Sequence, residues 1–263
     1  MLMYMASPTP ILSIPFDIKV QHWELQFIRA AVANDVLSKK PLFEAAGLAT
    51  DYFHNHDEAD DRDGRTVNRY PLIQYTEKND YLCLLAVGPA VDALLFYLKH
   101  MPGRLQFRNR IVAMLPVLSY ARFQHYTAEI LEKPAKYQLR QWIGLQEHRH
   151  AIWKQTPRME DRVQLLNEAL LGSVKRMLTE GLNQSLDPAA ECYLHDIFQA
   201  DHTTYKKRQW RCFTLEFYSN LLLPAELGLG KGCSIGYGKL LAPASLIKAE
   251  PAFPDANART GVL

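Results

Sequence analysis

The stretch that most restricts how this chain can fold is Leu227-Gly-Leu-Gly-Lys-Gly-Cys-Ser-Ile-Gly-Tyr-Gly238, where five of the chain's 13 glycines fall within eleven residues. Glycine accepts positive φ and lets other groups approach the backbone, so this segment must turn sharply or lie close against something. It is not a nucleotide loop of either common kind. No register supplies Gly-x-x-x-x-Gly-Lys-Ser/Thr, and Gly-x-Gly-x-x-Gly would require a glycine at Cys233 or at Ile235. Two readings stay open. One is a tight turn before a last strand; the other is a loop of exposed amides which, with Lys231, follows the backbone of a polyanion.

The 263 residues suffice for one large domain or two of ordinary size, and 48% hydrophobic with 22% charged residues is the composition of a folded chain. A net charge of +2 excludes a global basic field, so any nucleic-acid surface has to be a local patch. Cys83, Cys192, Cys212 and Cys233 form no Cys-x-x-Cys pair, which argues against a zinc knuckle or a redox couple. The first residues lack a basic segment followed by an apolar core, and no apolar run is long enough to span a bilayer. A cytoplasmic protein without a membrane partner is expected.

Along the chain, alternation predicts a strand over Ile11–Val20, and the stripe Leu25, Ile28, Val32, Val36 predicts a helix over Trp23–Leu37 that carries Arg29. A polar loop over about 38–67 follows. Arg69–Tyr75 and Tyr81–Val87 read as a hairpin, Ala90–His100 as a helix closed by Met101-Pro-Gly103, and Leu105–Leu115 as the next strand. This β-α-β-β-α-β order is that of a ferredoxin-like unit. After an expected linker at Leu131–Lys136 the pattern restarts with a strand at Tyr137–Leu145, a helix at Glu160–Asn183, and strands at Tyr193–Phe198 and Arg208–Tyr218. The fold class is therefore α+β, with tandem ferredoxin-like domains and a C-terminal glycine-rich loop. The expected division is 1–133 and 134–243, with a flexible tail over 244–263. Lys206, Lys207 and Arg208 cluster where a phosphate chain can lie, or form a solvated turn.

The polar loop holds Phe53-His-Asn-His56. In an extended segment His54 and His56 point to the same side with their bases roughly 7 Å apart, a separation that accepts a phosphodiester. Histidine titrates near neutrality, so one ring can remove a ribose 2′-hydroxyl proton while the other protonates the departing 5′-oxygen. Two other readings compete. The pair can be ordinary loop residues, or metal ligands together with Asp57, Glu58, Asp60, Asp61 and Asp63.

Four features in fixed order are similar to the CRISPR-associated repeat-RNA endoribonucleases of the RAMP superfamily: Phe53–His56, Arg69–Tyr75, the Tyr137–Leu145 strand leading into a long helix, and Ser219–Gly238. The resemblance spans roughly 10–243, and its glycine loop is that family's signature. It implies two ferredoxin-like domains around a basic cleft, and metal-independent cleavage of precursor CRISPR RNA without a cofactor. His54 and His56 become the catalytic pair, with Lys39 or Lys40 and Tyr52 or Tyr70 steadying the pentacoordinate phosphate. Arg29, Lys206, Lys207, Arg208, Gly228, Gly230, Lys231, Gly232, Ser234 and Gly236 become candidate RNA contacts. Expected partners are CRISPR repeat RNA, other CRISPR effector subunits and a second copy of the chain. The superfamily also includes RNA binders that do not cut, so a non-catalytic effector subunit is the alternative. His148-Arg-His150 is assigned to RNA contact or to a surface loop.

Overall fold

The computed structural model describes residues 7–54, 69–243 and 246. The first unit runs β1 (Thr9–Lys19), a 3-10 turn at His22–Glu24, α1 (Leu25–Ser38), α2 (Lys40–Ala45), β2 (Ile73–Lys78), β3 (Tyr81–Val87), α3 (Ala90–His100), β4 (Arg104–Phe107), β5 (Arg110–Ala113) and β6 (Arg122–Tyr126). Its sheet is antiparallel in the order β2-β3-β1-β6. The second unit runs β7 (Ile130–Trp142), α4 (Glu147–Gln155), α5 (Met159–Arg176), a π-helical turn at Met177–Gly181, β8 (Cys192–Tyr205), β9 (Arg208–Leu221) and β10 (Lys239–Leu241). Its sheet, in the order β10-β7-β9-β8, repeats the ferredoxin-like arrangement of the first.

The first sheet is covered on both faces. Leu12, Ile14, Phe16 and Ile18 of β1 pack with Leu25, Ile28, Val32 and Val36 of α1 and with Val91, Leu94 and Tyr97 of α3. On the other face Ile11, Cys83, Leu85 and Val87 join the core of the second unit, with Tyr137, Leu139, Phe213, Leu215 and Phe217. Burial of both faces explains why β3 reads as an unbroken apolar run rather than an alternating one. The β2–β3 turn is tighter than expected. The strands pair as far as Lys78↔Tyr81, leaving Asn79 (φ 51°) and Asp80 (φ 65°) as a two-residue connection.

Three expectations are corrected. The fourth strand of the first sheet is β6, whereas Leu105–Leu115 folds back as the separate β4–β5 hairpin. The polar Arg108-Asn109 breaks that stretch, and Arg108 adopts φ 52° to make the turn. The expected linker at Leu131–Lys136 is part of β7, with Pro134 falling where the pairing with β9 slips, a position a strand proline tolerates. The loop over 38–67 is helical at α2 and at a 3-10 turn, Asp51–Phe53. The helix α4 breaks the stretch between β7 and α5 and carries His148 and His150. Of the expected tail at 244–263 only residue 246 is among the described residues. Among the described residues no helix is long and apolar enough to cross a membrane.

In the second unit no α-helix lies between β9 and β10. The glycine-rich segment takes that place, with one 3-10 turn at Cys233–Ile235. Leu227, Leu229 and Cys233 fill the second core while Ile235 and Tyr237 enter the first, so this segment joins the two.

Candidate functional site

The site is built on α1. Its apolar stripe faces the first sheet, and half-buried Arg29 stands on the flank turned toward the second unit. Arg29 Nη1 donates to Ser234 Oγ at 3.3 Å, and Nη2 donates to the carbonyl oxygen of His54. One planar guanidinium thus ties the backbone of His54 to the glycine segment, a geometry lysine cannot copy. His54 follows the 3-10 turn Asp51–Phe53 and is itself half-buried. The turn is anchored by Phe53, whose ring meets Phe43 at 5.9 Å and Tyr97 at 5.4 Å.

Tyr75 and Tyr205 lie within reach of the Arg29 charge, and Tyr237 and His22 extend the cluster from Tyr205. Burial pushes the Tyr75 and Tyr205 phenols up, and the positive charge of Arg29 opposes this at both. The Tyr75 hydroxyl has no hydrogen-bond partner among the described residues. Tyr205 and Tyr237 rings lie 5.9 Å apart, and the Tyr237 hydroxyl pairs with Thr203 Oγ1 at 2.9 Å. His22 meets the edge of Tyr237 at 4.6 Å, and burial lowers its pKa.

The glycine segment is not a loop of exposed amides. Gly228, Gly232 and Ser234 are buried, and only Gly230, Lys231 and Gly236 are half-buried. Several amides are already used: Gly228 donates to Gln74 Oε1 at 2.8 Å, Leu229 to Gly238 at 2.8 Å and Lys231 to Ile143 at 2.9 Å. At Gly236 (φ 87°) a Cβ would lie 2.7 Å from Leu25 Cδ1, and at Gly238 (φ 65°) only 1.9 Å from the Leu229 carbonyl oxygen. Gly238 is closed to any side chain by the Leu229 backbone of the same segment, whereas at Gly236 the neighbour is the movable end of the Leu25 side chain and it is the positive φ that calls for glycine.

Tyr70 is also corrected. It is 4% exposed, its hydroxyl donates to the Gly228 carbonyl at 2.9 Å and accepts from Gln74 Nε2 at 2.8 Å, and burial raises its pKa well above the usual value. A phenol so enclosed braces the glycine segment and has no surface to offer a phosphate. Lys40 is exposed at the start of α2 and lies 4.0 Å from Glu44. Lys39 is paired with Asp35, and Tyr52 is half-buried against the first core. His56 and the acidic run from Asp57 to Asp63 lie outside the described residues.

The basic candidates converge. Lys206 (φ 50°) and Lys207 (φ 62°) form a two-residue turn at the tip of the β8–β9 ribbon, next to the Tyr205↔Arg208 pair. Lys231 Nζ sits 3.6 Å over the Trp210 ring, where burial lowers its pKa, Glu147 raises it, and Lys206 and Arg208 lower it. Arg208 is ion-paired with Glu147 of α4. His150, on the same helix, is lowered by burial and then by Lys154, His202 and Arg211. His22, Tyr205 and Tyr237 were missed by sequence reasoning. Only Tyr237 carried a signal, standing between two glycines.

The Cas6b N-terminal domain matches residues 9–116, and the Cas6b C-terminal domain matches residues 129–242. A solved structure described as Cas6b is similar with TM-score 0.72 at 20% identity, covering 90% of this chain and 100% of that one. A CRISPR RNA processing endoribonuclease Cas6b gives 0.63 at 17% identity, covering 90% and 100%. The type IV crRNA endonuclease Csf5 gives 0.53 at 13% identity, covering 90% and 100%. No curated protein matches the sequence. The two domain matches lie end to end over most of the chain, which belongs to the Cas6b family of CRISPR-associated, RAMP-type precursor-RNA processing proteins.

Proposed function

We propose that this chain is an endoribonuclease that cuts precursor CRISPR RNA within its repeats without a metal. The reading is carried by one observation: Arg29 bonds both the His54 carbonyl and Ser234, so the backbone of His54 is held at the junction of the two units. In the proposed step one imidazole of the His54/His56 pair takes the proton of a ribose 2′-hydroxyl. The O2′–P bond forms as the P–O5′ bond breaks, and the second imidazole, as imidazolium, delivers its proton to the leaving 5′-oxygen. The products are a 2′,3′-cyclic phosphate and a 5′-hydroxyl. The nucleophile belongs to the substrate, so the protein need supply only position, proton transfer and positive charge.

Arg29 and Lys40 are the cations assigned to the phosphate near His54. Lys206, Lys207, Arg208 and Lys231 are assigned to phosphates farther along the RNA. In this reading the glycines serve by holding Ser234 and Lys231 in place. The test uses end-labelled repeat RNA in excess EDTA with wild type, with His54→Ala/His56→Ala, and with RNA carrying a single 2′-deoxy sugar at the cut site. The expected result is cutting by wild type alone, abolished by the deoxy sugar. Loss of cutting in EDTA removes the metal-free mechanism. Tight binding of a cognate repeat without cutting makes the chain an RNA-binding effector subunit instead.

A further inference from the structure

On the far side of α1 from Arg29 lies a cluster that the proposed reaction does not use. Trp23 is 52% exposed, unusual for so large an apolar ring. It meets Phe27, one helical turn on, at 6.3 Å with an interplanar angle of 77°. The Arg108 guanidinium occupies the corner between them, 5.1 Å from the Trp23 centroid and 4.7 Å from that of Phe27. We propose that Trp23, Phe27 and Arg108 form a stacking site for an unpaired nucleotide of the RNA substrate. This rests on the chain being an RNA-processing protein.

Charge favours RNA as the occupant. Arg104, Arg108 and Arg110 on the β4–β5 hairpin are all exposed. The nearby acid, Glu24, is taken up by Arg110 at 2.5 Å and by the Gln21 amide at 2.9 Å. The surface around the two rings therefore carries an excess of positive charge, in a chain whose net charge is only +2. An aromatic face beside exposed arginines, of which only Arg110 is paired with the nearby Glu24, is the arrangement that binds single strands: the ring stacks a base of any identity and the arginines take the phosphates.

The hairpin is shaped to bring Arg108 there. Its turn holds Arg108 rather than a glycine at φ 52°, although Asn109, better suited to such a conformation, is next in sequence. Leu105 and Phe107 are buried under the hairpin, so its tip is fixed against α1. Trp23, in the turn that precedes α1, and Phe27, in its first turns, lie on the opposite flank of that helix from Arg29, so the base they stack is not the one at the scissile phosphate. The stacked base therefore belongs to the single-stranded flank of the repeat.

The test measures affinity of repeat RNA with its unpaired flanks for wild type, Trp23→Ala, Trp23→Phe and Arg108→Ala, with melting curves to confirm folding. Trp23→Ala is expected to weaken binding about tenfold and Trp23→Phe to restore most of it. Scanning the flank with single abasic nucleotides should find one position at which wild type loses about the same factor and Trp23→Ala loses nothing further. Affinities of Trp23→Ala and Arg108→Ala equal to wild type, or an abasic scan without such a position, overturn the stacking site and give the cluster to a protein partner. Wild type that binds no RNA overturns the site and the proposed function together, and so is distinguishable from failure of the site alone.

Discussion

Arg29 Nη1 donates to Ser234 Oγ across 3.3 Å, joining two residues separated by 205 positions. The same guanidinium holds the His54 carbonyl, so loosening the glycine segment should also loosen the histidine segment. Arg29→Ala is expected to lower the single-turnover cutting rate about a hundredfold through misplacement of His54, with a smaller loss of RNA affinity. It should also cost about 2 kcal/mol of stability as two charge-assisted bonds disappear. Arg29→Lys should recover charge but not the fork, restoring affinity more than rate. Equal losses in rate and affinity for both variants would show that Arg29 acts only by binding.

How much of this was legible in the sequence depended on how local the cause was. The run of β3 and the helix α3 could be read because Leu82–Val87 is apolar throughout and Gly88-Pro89 and Met101-Pro-Gly103 bracket the helix. The strand β6 could not, since Phe123 is exposed while Leu12, its partner, is buried, which erases the expected pattern. The glycine segment was legible as a place of close approach. What approaches it is its own Leu229 backbone at Gly238, the Ile143 carbonyl and Trp142 ring at Gly230, and Leu25 of the other unit at Gly236, and the last two are contacts no spacing rule reaches. Tyr70 was misjudged for the same reason: its partners Gly228 and Gly181 come from distant sequence.

His22 gives a pH signature. Burial lowers its pKa below 6.5, and Nε2 finds no partner among the described residues. The folded state therefore favours the neutral ring, and below pH 6.5 the unfolded chain binds a proton that the folded chain resists. Stability from this group is full above pH 6.5 and falls as pH drops from there toward the lower folded value. Melting temperatures of wild type should decline between pH 7.5 and 5.5 more steeply than those of His22→Gln. Parallel curves for the two proteins would remove His22 from the pH response.

Two glycines with similar backbones separate steric closeness from conformation. Gly238 has φ 65° with the Leu229 oxygen 1.9 Å from its would-be Cβ, whereas Gly47 has φ 69° with nothing within 4 Å. Gly47→Ala should cost about 1 kcal/mol, the penalty of a left-handed alanine alone. Gly238→Ala should cost at least about 3 kcal/mol, because the segment must also move away from its neighbour. Urea unfolding midpoints measure both, and similar shifts would mean that the glycine segment adapts more readily than its packing implies.

The ribbon tip tests where the RNA runs. Lys206 and Lys207 are exposed at the turn, and Lys206 and Arg208 lie close enough to Lys231 to lower its pKa. If this cluster follows a phosphate chain, Lys206→Ala/Lys207→Ala should weaken repeat RNA uniformly across sequence variants. Each lost phosphate contact should also reduce the slope of log affinity against log salt by about 0.7 to 0.9. Lys231→Gln should change the slope less, because its ammonium is partly committed to the Trp210 ring at 3.6 Å. The same salt slope in wild type and the double variant would move the RNA path off this ribbon and toward the Arg29 side of α1.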